Sequence, residues 1–431
     1  MTEHEARSAR RRAVIAGISG NLMEWYDFAI YGYFVRTIGS LYFPSDNRDA
    51  AMLAAYGAFA VGFVMRPLGA VLFGWIGDRV GRGTAMLWSV IAMAVPTFLI
   101  GLLPTYQQIG AAASVLMVLC RAIQGLSVGG EFTGSAVFLT ESARANRRAF
   151  ASSWAPFGAI SGMLLGSMVG ALVLNLLPLE QVVTWGWRAA FLFGGVLGCV
   201  GFLLRRRMSH DRPAELPTAF PLATALRQYP IELLQVVGVA LVNAAGFYIV
   251  FFYMIPWLKN WADIGARQAL LINSVNMATM LLVIPTAATL ADRHGRKPVL
   301  LFAAGGMLLL SIPLLALIHA GGPWGFYLGQ LGLAVMAGCF GGVVPVVICE
   351  MFPHGVRCSA ASTAYNVTTG VVGGTAPIVA DWLIDKTGHA LSPAYYLTAL
   401  ALATFLSVLW MRESGRRPLD MAPAAVPQPA E

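Results

Sequence analysis

Five ionisable side chains stand well inside long apolar stretches: Glu24, Asp27, Arg66, Arg121 and Glu131. Their types suit proton binding, ion pairing and the recognition of a carboxylate. A charge at the centre of a bilayer costs about 2.5–3.5 kcal/mol even on the mild insertion scale. Such side chains therefore turn to a bundle interior or a wet cavity. At a helical rise of 1.5 Å per residue, Asp27 lies about 22 Å beyond Arg12 and Arg66 about 18 Å from Asp78. Arg121 lies about 30 Å, and Glu131 about 15 Å, from Glu141. Asp27, Arg66 and Arg121 are thus expected to meet near mid-membrane, with Glu131 lower. Glu24, Asp27 and Tyr31 share one side of their helix, as do Arg121, Gln124 and Glu131.

These depths suggest roles. Asp27 or Glu131 is expected to carry a coupled proton, with Glu24 as a further candidate. Burial favours the neutral acid and a nearby arginine favours the carboxylate. Moving that arginine onto a substrate would tighten proton binding and so link the two events. Arg121 is expected to be a substrate anchor or proton gate, because guanidinium pairs bidentately with carboxylate. Arg66 reads equally as an anchor or as half of a static pair, and Glu24 also fits a static pair. Gln124 and Tyr31 complete the polar face.

The second half of the chain supplies aromatics and amides instead. One stretch holds Phe247, Tyr248, Phe251, Phe252, Tyr253 and Trp257; others offer Asn273, Asn276 and Asn366. Aromatic faces attract ammonium groups, so Tyr248, Phe252 and Asn366 are candidates for substrate contact. Packing against lipid or neighbouring helices explains the same aromatics.

The elements that carry these residues follow from hydropathy. The 431-residue chain is 57% hydrophobic and 12% charged, against roughly 25% charged in soluble domains. Its mean hydropathy is +0.67. Twelve apolar stretches, from 14–39 to 393–411, are each long enough to cross a bilayer as helix. The net charge of +8 is not a nucleic-acid footprint, because its placement follows topology. Arg7, Arg10, Arg11 and Arg12 precede the first stretch. Further positives follow every even-numbered stretch, among them Arg205, Arg206 and Arg207 after the sixth. The alternate loops hold few: Arg48, Lys259, Arg267 and Lys386. This pattern places both termini on the cytoplasmic side of a cell (inner) membrane. The proline-containing stretch 205–230 is expected to link two six-helix bundles, 1–204 and 231–413. Residues 414–431 read as a loose cytoplasmic tail with no heptad pattern. Gly158, Gly162, Gly166 and Gly170 make a smooth stripe that suits either tight packing or a sliding contact between the bundles. The five cysteines show no paired or metal-binding spacing.

A charged motif returns at half-length. Gly74-x-x-x-Asp78-Arg79-x-Gly81-Arg82 is echoed by Asp292-Arg293-x-Gly295-Arg296. Glu141 precedes Arg148 by seven residues, and Glu350 precedes Arg357 by seven. A repeat of this kind between apolar runs implies a duplicated membrane unit, an architecture common in transport. Asp78, Arg79, Arg82, Glu141 and Arg148 are expected to form an inner charge cluster, repeated by Asp292, Arg296, Glu350 and Arg357. Exposed pairs are worth about 0–1 kcal/mol each, which suits a latch that must break.

The paired loops resemble the signature of the major facilitator superfamily, over nearly the whole chain. Gly83 stands where a second basic residue is usual, and Ala288 replaces the first glycine of the second copy. Finer marks resemble the metabolite:proton symporters within it: Gly20-Asn21-x-x-Glu24-Trp25-Tyr26-Asp27-Phe28, Arg66-Pro67-Leu68-Gly69, Gln124-Gly125-x-Ser127-x-Gly129-Gly130-Glu131 and Trp185-Gly186-Trp187-Arg188. Members of that group take up proline/betaine, α-ketoglutarate, citrate or shikimate. Gly130-Glu131-Phe132-Thr133-Gly134 and Ser392-Pro393-Ala394-Tyr395-Tyr396 look most like the proline/betaine branch. The resemblance implies an all-α membrane fold of twelve helices in two pseudo-symmetric bundles, working by alternating access. It implies a small-molecule substrate, the proton as coupling ion, no cofactor, the lipid bilayer as environment and a functional monomer. A zwitterionic osmolyte stands slightly ahead of di- or tricarboxylates. A drug antiporter is disfavoured because Pro156 precedes Phe157-Gly158 where that class has Gly-Pro. A membrane sensor that kept the fold is the alternative from another class; no nucleophile–base or metal constellation supports an enzyme.

Overall fold

A computed structural model describes residues 3–45, 48–206, 220–262, 264–415 and 418–419. Among them, every regular element is helical. The long helices are α1 (Glu3–Tyr42), α2 (Arg48–Arg79), α3 (Arg82–Leu102), α4 (Ala111–Glu141), α5 (Trp154–Leu176) and α6 (Trp187–Arg205). They continue as α7 (Pro230–Trp261), α8 (Ala266–His294), α9 (Arg296–Ala320), α10 (Pro323–Glu350), α11 (Arg357–Thr387) and α12 (Ser392–Trp410). Eleven of these are long and apolar enough to cross a membrane. The remaining one, α1, is long enough but carries Asn21, Glu24 and Asp27 in its middle, which lowers its hydropathy.

The chain divides into two compact units, residues 1–138 with 158–214, and residues 139–157 with 215–431. In the first unit, α1 is central. Its Tyr26, Ile30, Tyr31, Phe34 and Ile38 pack with Met117 of α4 and with Trp187 and Phe191 of α6 in one buried cluster. The glycine stripe of α5 is filled by α1 of the same unit. A Cβ at Gly162 would stand 2.1 Å from the Leu22 carbonyl oxygen. The stripe therefore serves tight packing inside one bundle rather than a sliding surface. Arg188 fastens the start of α6 to the end of α3 by donating to the carbonyls of Gly101 and Leu103.

In the second unit, α7 and α11 each contain a π-helical turn, at Ile249–Tyr253 and Thr369–Gly373. Such turns leave carbonyl groups without their usual helical partners. Gln330 on α10 donates to the Val250 carbonyl and Asn273 on α8 to that of Phe251. These buried amides thus support irregular backbone. Thr404 of α12 ties to α7 by accepting from the Val242 N–H and donating to the Gly238 carbonyl.

The two motif copies share a backbone device. Gly81 and Gly295 both adopt positive φ, 134° and 105°, between consecutive long helices. A side chain there would be strained. Of the expected linker, residues 207–219 lie outside the described residues; the rest holds a short helix, Pro221–Gln228. Residues 416, 417 and 420–431 of the expected tail also lie outside them. Its first residues are not loose, however. Ser414 donates to Glu350, and the Leu419 carbonyl accepts from Arg357.

Candidate substrate and proton site

Three helices of the first unit converge on Asp27. Arg121 on α4 donates to its Oδ2 at 2.6 Å. Its Oδ1 accepts from the Thr97 hydroxyl of α3 and from Gln124 Nε2, both at 2.9 Å. Gln124 also accepts from Arg121 at 2.7 Å and donates to Thr97 at 2.8 Å. Asp27, Thr97, Arg121 and Gln124 are all at most 1% exposed. This is a closed network, in which each member orients the next. The guanidinium of Arg121 also lies 4.4 Å from the Tyr31 ring centre, with Phe59 and Phe28 at 5.2 and 5.4 Å. The Tyr31 ring is itself held, since its hydroxyl donates to the Ala55 carbonyl. One donor of the arginine, Nε, is buried without a hydrogen-bond partner. The site therefore presents a cation in an aromatic box, a carboxylate beside it and an unused N–H.

Glu131 belongs to a different arrangement. Arg205 of α6 grips it through both terminal nitrogens, and Ser89 of α3 donates to it as well. The remaining donors of Arg205 go to the Ala16 and Met86 carbonyls. This cluster ties α1, α3, α4 and α6 together with five hydrogen bonds from one guanidinium. Gly20 makes room for it, because a Cβ there would stand 2.1 Å from Arg205 Nη2. Asn21, its neighbour in the opening motif, donates to Ser135 on α4. The positive charge of Arg205, which its place after the sixth stretch assigns to topology, is 0% exposed and structural.

Glu24 lies on α1 between these two clusters. It is 1% exposed, and neither carboxylate oxygen has a hydrogen-bond partner. Arg66 of α2 is 3% exposed, with its guanidinium 5.6 Å from the Phe63 ring centre.

In the second unit, Tyr248 and Phe252 lie with ring centres 5.4 Å apart, and Gly373 of α11 packs against the Tyr248 ring. Asn366 donates to the Ser362 carbonyl of its own helix. The inner motifs exchange partners across the sequence repeat. Glu141 accepts from Arg357 at 2.5 Å, and Arg148 approaches Glu350 at 3.5 Å. Asp292 accepts the backbone N–H of Ala149 and Phe150 and pairs with Arg296 at 3.0 Å. Arg296 also donates to Glu350. In the first copy, Arg82 pairs with Asp78 at 2.5 Å and donates to the Gly77 carbonyl, as Arg296 donates to that of Ala291. Arg79, beside Asp78, is half-buried at the end of α2.

Thr97, Ser89, Arg205 and Gln330 are the contributors that sequence reasoning missed. Threonine and serine in an apolar helix carry no special signal, and Arg205 is the first of a three-arginine run that reads as an inner-edge marker.

Comparison with known proteins places this geometry. The chain matches the family described as sugar (and other) transporter over residues 13–207 and 222–425. It is 34% identical to the proline/betaine transporter of Escherichia coli (strain K12), over 96% of this chain and 86% of that protein. It is equally similar, at 34% and the same coverage, to the glycine betaine/proline/ectoine/pipecolic acid transporter OusA of Dickeya dadantii (strain 3937). Among solved structures, the proton:xylose symporter XylE superposes with a TM-score of 0.76 at 19% identity, over 96% of this chain and 98% of that one. The human organic anion transporter MFSD10 gives 0.66 at 17% identity, over 93% and 99%.

Proposed function

This chain belongs to the sugar (and other) transporter family, and on that premise we propose that it is a proton-coupled symporter of a small zwitterionic osmolyte of the proline/betaine kind. The observation that carries the reading is the buried Asp27–Arg121 pair inside its aromatic box. A zwitterion can insert into such a pair without changing the net charge of the site. Its carboxylate would take the Nε and terminal donors of Arg121, and its cation would rest against Asp27 and the faces of Tyr31 and Phe59. A di- or tricarboxylate would leave the pair with at least one further negative charge. The names of the similar relatives point to the same substrate class.

Arg121 is accordingly the carboxylate anchor, and Gln124 and Thr97 hold Asp27 in place. The Glu141–Arg357 and Arg148–Glu350 pairs act as a latch on the inner side. Both termini lie in the cytoplasm, the host bilayer is the cell (inner) membrane, and the protein works as a monomer. The distribution of positive loops supports the orientation.

Uptake into reconstituted vesicles tests the proposal, with labelled betaine, proline, citrate and α-ketoglutarate, with and without a proton gradient. Betaine or proline should accumulate only under the gradient. Uptake indifferent to the gradient, or accumulation of citrate or α-ketoglutarate alone, would overturn it.

A further inference from the structure

Three of the buried carboxylates of the first unit, Glu24, Asp27 and Glu131, differ in what meets them. Asp27 accepts from Arg121, Thr97 and Gln124. Glu131 accepts from Arg205 and Ser89. Glu24, one helical turn before Asp27, accepts from nothing, although it is just as deeply buried. The charged groups that act on it electrostatically are Arg66 on α2, Glu131 on α4, Arg205 on α6 and Asp27 on its own helix. Arg205 is committed to Glu131 and to two backbone carbonyls. Arg121 is committed to Asp27 and Gln124. An ionised carboxylate sealed from water with no donor is the least tolerable state of such a group; the neutral acid is the tolerable one.

We propose that Glu24, rather than Asp27 or Glu131, binds the transported proton, and that this conformation shows it loaded. The inference rests on the reading of the protein as a proton symporter. The step is a simple protonation. A proton from water on one side forms an O–H bond with a Glu24 carboxylate oxygen. It returns to water on the other side, leaving the carboxylate, and Arg66 on the adjacent helix supplies the counter-charge. Asp27 serves instead as a partner for Arg121 or for the substrate's cation. This division separates the proton from the substrate by one turn of α1. A zwitterion adds no net charge, so each cycle moves one positive charge.

Glu24→Gln keeps the shape of the neutral acid and removes its proton. In vesicles, the variant should lose at least tenfold of gradient-driven betaine accumulation. Exchange of labelled for unlabelled betaine should continue, and the dependence of that exchange on pH should disappear. If the natural protein accumulates betaine under a gradient and Glu24→Gln does so equally, the assignment of Glu24 is overturned and the symport reading stands. If the natural protein shows no proton-driven uptake, the symport reading fails. A second measurement is independent of substrate. Infrared spectra of the purified protein at neutral pH should contain a carboxylic-acid C=O band that Glu24→Gln removes and Asp27→Asn leaves. A band unchanged by Glu24→Gln overturns the proposal.

Discussion

Asp27 and Arg121 form the pair on which the substrate reading depends, and their energetics are those of a buried ion pair. Taking both charges out of water is expensive, and their attraction offsets it only while the geometry and the extra hydrogen bonds from Thr97 and Gln124 hold. Removing one partner leaves the other buried and uncompensated, at about 3–5 kcal/mol. Asp27→Asn should therefore lower the thermal midpoint of the detergent-solubilised protein markedly. The double variant Asp27→Asn/Arg121→Gln should recover much of that loss, while neither variant takes up substrate. A double variant as unstable as the sum of both single changes would mean that the two charges do not compensate one another.

Helix ends, more than helix middles, position the inner motifs. Glu413, just past α12, accepts the backbone N–H of Arg296 and of Lys297, the first residues of α9. An anion at a helix N-terminus meets unsatisfied N–H groups and the positive end of the helix dipole. Partial burial works against the charged form of Glu413. The N–H groups of Arg296, Gly415 and Lys297 and the Arg296 charge outweigh it and hold the carboxyl below its usual 4.5. A carboxyl held low in the folded state stabilises the fold above its ordinary titration range. That contribution is lost as pH falls through the lower, folded value. Glu413→Gln should thus lower the thermal midpoint at neutral pH, and the gap should close as pH drops below 4.5. A gap that stays constant over this range would show that the Glu413 charge contributes nothing.

At the scale of the molecule, the boundary of the compact units does not follow the sequence repeat. Residues 139–157 come from the first half of the chain yet pack within the second unit. They are held there by Glu141–Arg357, Arg148–Glu350 and the two backbone donors to Asp292. The duplicated motif thus supplies both sides of one charge network, the acid of one copy meeting the base of the other. Glu141→Gln should raise amide hydrogen exchange across residues 145–157 several-fold, and Arg357→Gln should do the same. The double variant should be no more exposed than either single one. Additive increases would mean that the two side chains act separately.

By itself the sequence determined the helical membrane class, the number of apolar stretches, the duplicated inner motif and the charged residues worth attention. Those features are local: twenty apolar residues in a row, a charge inside them and a glycine beside an arginine are visible without any neighbour. The tertiary structure decided the partners. Arg205 reads as a topological charge until α6 is seen beside α1 and α4, where it meets Glu131. Thr97 becomes part of the site only when α3 turns it toward Asp27. Glu24 and Asp27 look alike on one face of α1, and only the neighbouring helices show that donors reach one and not the other. The difference is physical: burial follows from composition along the chain, whereas ionic partners depend on which helices lie side by side and how each is rotated.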